Sequence, residues 1–186
     1  MNKAKLSIVM TLCFLLGGCS STIKNRAPIG ESFPAVIGTS LQEKVVHIPK
    51  DYEGQPVVLL VGYTQRSQFD LDRWILGLTQ MGTPIRIVEV PTIAGLLPGM
   101  FADRIDAGMR TGIPKEDWGG VVTVYDDGDR IEAFLGTEGP NNGRILLLDQ
   151  QGIVRWFWDR GYSATGVTKL HGAALKQLND SGPNTE

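Results

Sequence analysis

Cysteine is almost absent from this 186-residue chain: there are two, Cys13 and Cys19, both near the N-terminus. From Ser20 onward there is no thiol, so that stretch can form no internal disulfide and run no thiol exchange, since both need a thiolate. Histidine is as scarce. His47 and His171 are the only two, and neither stands in the H-x-H or H-x-x-x-H spacing of a metal site, so neither a zinc site nor any other cofactor is expected. Basic charge is not in excess either. Without Lys3 and Lys5, the 18 Lys+Arg fall to 16 against 20 Asp+Glu, a net charge of −4, which excludes an electrostatic nucleic-acid binder. Internal repeats, low-complexity tracts and a second linker are also missing. The remaining length, about 165 residues, fits one domain able to bury a self-sufficient core.

What is present begins with MNKAKLSIVMTLCFLLGGCSS. Two lysines precede an apolar stretch, Leu6 to Leu16, that is short for a bilayer span and runs into small residues, the pattern of an export signal over 1–18. Leu16-Gly17-Gly18-Cys19 resembles the lipobox of bacterial lipoproteins. That resemblance implies cleavage before Cys19 and lipid on the new first residue. Ser20, in place of Asp, resembles the outer-membrane pattern, so the expected location is the outer membrane, facing the periplasm. One acyl chain binds only marginally, whereas several make a stable anchor. The expected membrane partner is therefore the bilayer itself, through Cys19, with 19–27 as a short polar tether, 28–180 as the domain and 181–186 as a frayed tail.

Along the domain, Val45–Ile48 and Val57–Val61 read as strands, the second apolar throughout as in a strand covered on both faces. Leu71, Trp74, Ile75 and Leu78 recur at i, i+3, i+4, i+7, an amphipathic helix. Ser67 with Asp70 resembles a capping box at its start, and Gly82 with Pro84 ends it. Residues 84–90 form a further strand, so this unit is βαβ with parallel pairing. A weakly charged stretch, VPTIAGLLPGMF, leads into a second helix with Phe101, Ile105 and Met109 at four-residue spacing. Beyond Trp118, two hairpins are expected: 121–125 with 130–135 around Asp126–Asp129, and 144–149 with 153–158 around Gln150–Gly152. A last helix covers 164–178, with Val167, Leu170, Ala174, Leu175 and Leu178 on one face. The expected fold class is α/β, a mixed β-sheet flanked by helices on both faces.

This order of elements resembles a thioredoxin-like fold in its peroxiredoxin-related form. IGESFP at 29–34 resembles the opening segment of such domains, VVLLVGY their central strand, and ILLLDQQGIVRWF at 145–157 their closing hairpin. In redox members a C-x-x-C or T-x-x-C sits between the central strand and the first long helix. Here that place holds Thr64-Gln65-Arg66-Ser67, with serine in the cysteine slot. A serine hydroxyl has no comparable oxidation ladder, so peroxidase and disulfide chemistry are excluded there. Arg144 stands where peroxiredoxins carry a functional arginine, and the resemblance makes Thr64, Gln65, Arg66, Ser67 and Arg144 the candidate binding residues. The cis-proline of thioredoxins has no counterpart: Asn142-Gly143-Arg144 precede the strand and Pro140 lies too early. FADRIDAGMRTGIP at 101–114 resembles a helix of the mitochondrial ATP synthase assembly factor family, thioredoxin-like proteins without redox cysteines. It implies an assembly or chaperone role with Arg110, Ile113 and Pro114 as family-pattern positions.

Several residues carry two readings at this level. Ser67 is either a helix cap or a nucleophile, although no G-x-S-x-G elbow surrounds it. Arg66 beside a helix N-terminus could hold an anion, against the nearby Asp70 and Asp72. Trp156 and Trp158 share a strand face, for packing or for stacking a ligand. The apolar loop is either folded over the core or a contact for an envelope protein partner, with Ile93, Leu96, Leu97, Met100 and Arg110 as the contact residues. The expected function is a membrane-anchored binding, scaffold or assembly protein. The alternative is a small-ligand-binding protein or non-thiol enzyme using loop 64–70 with Arg144.

Overall fold

The computed structural model describes residues 22–94 and 98–180, with side chains from 102 onward in the second stretch. Four strands form the main sheet in the order β4-β3-β6-β7: β3 (Val57–Gly62), β4 (Arg86–Pro91), β6 (Arg144–Leu148) and β7 (Val154–Trp158). β3 pairs parallel with β4 and antiparallel with β6, and β6 pairs antiparallel with β7. A three-stranded sheet, β2-β1-β5, is built from β1 (Val36–Ser40), β2 (Val45–Ile48) and β5 (Val122–Thr123). Parallel bridges Glu89 to Val121 and Thr92 to Val124 join it to the outer edge of β4.

Helices α1 (Gln68–Gln80), α2 (Pro98–Gly112), α3 (Gly128–Leu135) and α4 (Ala164–Asp180) complete the body. The expected mixed sheet with helices on both faces is what the chain adopts.

Strand β3 shows why the core has two halves. Successive side chains of a strand point to opposite faces. Val57, Leu59 and Val61 enter one cluster with Val88, Ile131, Leu135, Leu146 and Val154, while Val58 and Leu60 enter the other with Leu71, Trp74, Leu78, Val167 and Leu170. Each such side chain contributes about 1.5–3 kcal/mol on full burial. The uninterrupted apolar run of β3 is therefore the seam between α1 and α4 on one side and α3 on the other.

Two expectations need correction. Residues 130–135 are not the second arm of a hairpin but the body of α3. Ile131 and Leu135 are fully buried at i, i+4 with Phe134 packed beside them, a helical spacing that the short β-rich run concealed. Gly136, at φ 84°, ends the helix. In α4, Val167, Leu170 and Ala174 are buried, but Leu175 points outward at 38 % exposure.

Residues 22–26, expected as part of a tether, are docked along the body. Ile23 N–H donates to Thr137 Oγ1 and Thr137 N–H to Ile23 O, both at 2.8 Å. Asn25 N–H donates to Glu138 Oε2 and Glu138 N–H to Asn25 Oδ1, both at 2.9 Å. The chain then passes Phe134, with the Arg26 guanidinium over its ring. It reaches the start of β7, where Gly30 N–H donates to Val154 O and Val154 N–H to Glu31 O.

Candidate functional site

β3 delivers Gly62 to one end of the sheet, and the chain continues through Tyr63 and Thr64 into a 3-10 turn, Gln65–Ser67, before α1. The turn is closed by two hydroxyls. Thr64 Oγ1 accepts the Ser67 amide at 3.2 Å and donates to Asn141 Oδ1 at 3.1 Å, while Ser67 Oγ donates to Thr64 O at 2.6 Å. Thr64, not Ser67, therefore supplies the side-chain cap, and the capping box read from Ser67 and Asp70 does not form. Asp70 Oδ2 instead accepts the Gly143 amide at 2.8 Å. A Cβ on Gly143 would meet Leu71 Cδ2 at 2.3 Å, so glycine is what lets loop 139–143 close on the start of α1.

Ser67 is 1 % exposed and its proton is committed to a backbone carbonyl. The histidines are placed elsewhere: His171 Nδ1 meets Thr83 Oγ1 at 2.8 Å, and His47 stands 3.6 Å from Asp51. No base lies on this hydroxyl among the described residues, so the nucleophile–base geometry of serine catalysis is not met there.

Arg144 comes to the same place from β6, opposite Val61. It is fully buried. Nη1 donates to Asn142 O at 2.9 Å and Gly139 O at 3.3 Å; Nη2 donates to Glu138 O at 2.6 Å, Asn25 Oδ1 at 3.1 Å and Gly136 O at 3.3 Å. The Tyr63 ring lies over the guanidinium at 5.1 Å. Burial lowers the Arg144 pKa, offset by Tyr63, Asp159 and Glu138, and pushes the Tyr63 phenol well above the usual tyrosine range, against the pull of Arg144. Arg144 thus holds loop 136–142 and the N-terminal segment in shape, with its terminal nitrogens engaged inside the protein.

Sequence reasoning missed Tyr63, Gln68 and Glu89. Glu89 is 6 % exposed on β4. Burial pushes its carboxyl above the usual range, the Gln68 side chain lowers it by hydrogen bonding, and Asp72 raises it again. The visible signal was a lone acid in the apolar run IVEV.

The structure brings Thr64, Gln65, Arg66, Ser67 and Arg144 together at one end of the sheet. Gln65 and Arg66 are exposed. Arg110 lies apart, its Nε donating to Leu41 O at 2.8 Å, its guanidinium 3.5 Å from Glu43 and over the Trp118 ring. Ile93 is half-buried and its amide donates to Val124 O. Leu96, Leu97 and the Met100 side chain lie outside the described residues, as do Cys19 and the 181–186 tail. Trp156 and Trp158 stack at 6.3 Å and 10° and both meet the buried Trp74 edge-on, so packing accounts for both. Two depressions of the surface, one beside Asp149, Arg155 and Lys176 and the other beside Tyr52 and Arg86, lie at the opposite end of the sheet from Thr64. The only cis peptide among the described residues, Ile48–Pro49, is also at that opposite end.

No protein-family model matches the chain, and no curated protein is similar to it in sequence. Solved structures are. A candidate protein disulfide isomerase from Bacteroides thetaiotaomicron matches with TM-score 0.56 at 15% identity, covering 86% of this chain and 95% of its own. A lipoprotein of the SCO1/SenC family from Bacillus anthracis matches with TM-score 0.54 at 13% identity, covering 83% and 99%. The exposed lipoprotein thioredoxin of Streptococcus pneumoniae matches with TM-score 0.51 at 10% identity, covering 75% and 98%. At these identities the likeness establishes the fold, which is thioredoxin-like.

Proposed function

We propose that this chain is a lipid-anchored protein of the bacterial outer membrane, facing the periplasm, that works by binding rather than by thiol chemistry. One observation carries the reading: the turn where redox members hold cysteines is Thr64–Ser67, its hydroxyls tied to the turn's own backbone and, for Thr64, to Asn141, in a chain without cysteine after Cys19. The fold is kept and the thiolate is gone. Neighbours named as lipoproteins, the SCO1/SenC member and the pneumococcal thioredoxin, support an envelope location. The lipobox at Leu16–Cys19 supports the anchor.

The binding residues are Gln65 and Arg66, with Ile93, Leu96, Leu97 and Met100 as further contacts, and the partner is an envelope protein, bound as in scaffolding or assembly. A ligand site or non-thiol enzyme centred on Arg144 is disfavoured, because its terminal nitrogens already serve carbonyls within the protein. In-cell crosslinking from a photoreactive residue at Leu97, and separately at Arg66, tests the reading. A single protein captured at Leu97 supports it. Nothing at Leu97 together with a small molecule or peptide at Arg66 overturns it in favour of a ligand site.

A further inference from the structure

The docked N-terminal segment fixes where an anchor can stand. Thr22 is three residues from Cys19, and three extended residues span at most about 11 Å. From Ile23 on, the chain is bonded to Thr137 and Glu138, which belong to the loop that Arg144 and Thr64 hold at the site end of the sheet. Any lipid on Cys19 is therefore tethered within about 11 Å of the edge of that end, while the hairpin turn at Gln150–Gly152 lies at the other.

The surface at the site end suits a bilayer headgroup region. Phe69, in the first turn of α1, is 71 % exposed, and Tyr162, just after β7, is 39 % exposed. Lys24, Arg66 and Arg160, the last over the Trp158 ring, are exposed cations of the segments at this end. The acids at this end keep their charge but are each hydrogen-bonded within the protein: Asp70 by the Gly143 amide, Glu138 and Asp159 by Asn25, and Asp72 by Gln68. Exposed aromatics beside exposed cations are a combination that favours a membrane interface.

We propose that the end of the sheet carrying Thr64–Phe69 is held face-on to the lipid surface, with Phe69 and Tyr162 as its interfacial contacts. This rests on the reading that Cys19 carries the anchor. It deepens the proposed function: whatever meets Arg66 is presented from the plane of the membrane, as a lipid headgroup or the membrane-embedded part of a partner would be.

The absence of other thiols makes the test clean. Full-length lipidated protein bearing Phe69→Cys or Gln151→Cys, labelled with an environment-sensitive fluorophore, is reconstituted into vesicles of phosphatidylethanolamine and phosphatidylglycerol that carry a lipid-attached nitroxide. Quenching at position 69 is expected to exceed that at 151 by about twofold or more. Insertion of about ten Gly/Ser residues between Ser21 and Thr22, enough slack to let the body tumble, brings the two to parity. Arg66→Cys provides a second position at the same end. Flotation with the vesicles but equal quenching at 69 and 151 overturns this proposal alone. Failure to float, with no acyl mass on the N-terminus, overturns the anchor and this proposal with it. A label at 69 unquenched in vesicles yet shielded in native envelope membranes assigns the face to a protein instead of lipid and overturns the proposal as well.

Discussion

The Arg144 guanidinium lies 5.1 Å from the centre of the Tyr63 ring, between that ring and the four carbonyls of Gly136, Glu138, Gly139 and Asn142. The position that the family resemblance marked as functional is thereby a structural hub. Arg144→Met takes the guanidinium from all of these acceptors; Asn25 Oδ1, Glu138 O and Gly139 O each keep a second donor, but Gly136 O and Asn142 O lose theirs, and each unsatisfied group costs about 1–3 kcal/mol. A loss of at least about 3 kcal/mol in urea unfolding is expected. A change under about 1 kcal/mol would mean that water replaces the guanidinium at no cost.

Tyr63→Phe behaves differently. The phenol oxygen is buried and has no hydrogen-bond partner among the described residues, so its removal takes away an unsatisfied group. Stability is expected to stay level or rise by up to about 1 kcal/mol. In a spectrophotometric titration, the wild-type protein should show Tyr52, Tyr63 and Tyr125 ionising above the ordinary range, because burial raises each phenol, and the variant should show one such tyrosine fewer.

Thr64→Ala removes both the cap on the Ser67 amide and the bond to Asn141. The expected loss is about 1–2 kcal/mol. Ser67→Ala, which deletes one bond to a carbonyl, should cost about 1 kcal/mol. Thermal unfolding of the two variants side by side checks the order, and the reverse order would return the capping role to Ser67.

Glu89 gives a pH signature. Its folded carboxyl is held above the unfolded value by burial, so the folded state binds more protons through that window, and stability falls as pH rises from the unfolded pKa through the folded one. Glu89→Gln removes this titration. The variant should be the more stable protein at neutral pH, with its advantage shrinking as pH falls from the raised folded value to the ordinary carboxylate range and level below it, as read from urea midpoints between acid and neutral pH.

Gly136→Ala tests the docked segment. At φ 84° the site is strained for any other residue, and a Cβ there would meet the Asn25 backbone at 2.4 Å. Stability should fall by more than about 1 kcal/mol, and trypsin should cut after Lys24 and Arg26 faster than in wild type.

Elements with a clear period were legible in the sequence: the apolar run of β3, the i, i+3, i+7 stripe of α1 and the β6–β7 hairpin all stand where the pattern places them. β1 was missed because it contains Gly38. A Cβ there would meet Val122 at 2.6 Å and a carbonyl of β5 at 2.9 Å, so close strand approach demands a residue that weakens the local β signal. Loop 64–67 was found by its position in the fold order. The roles within it were not, because they depend on Asn141, Gly143 and Asn25, which are brought in from distant sequence by side-chain-to-backbone bonds that leave no local pattern.

The N-terminal segment also orders the folding reaction. Asn25 finds its partners Glu138 and Asp159 at separations of 113 and 134 residues, and β3 gains its second neighbour only when β6 arrives. An early-made segment is thus fully seated late: a truncated chain ending before β7 leaves Asn25 without Asp159, Gly30 and Glu31 without Val154, and the edge of β6 unpaired. Such long-range closure is slow. It delays completion of the main sheet until β6 and β7 have been made.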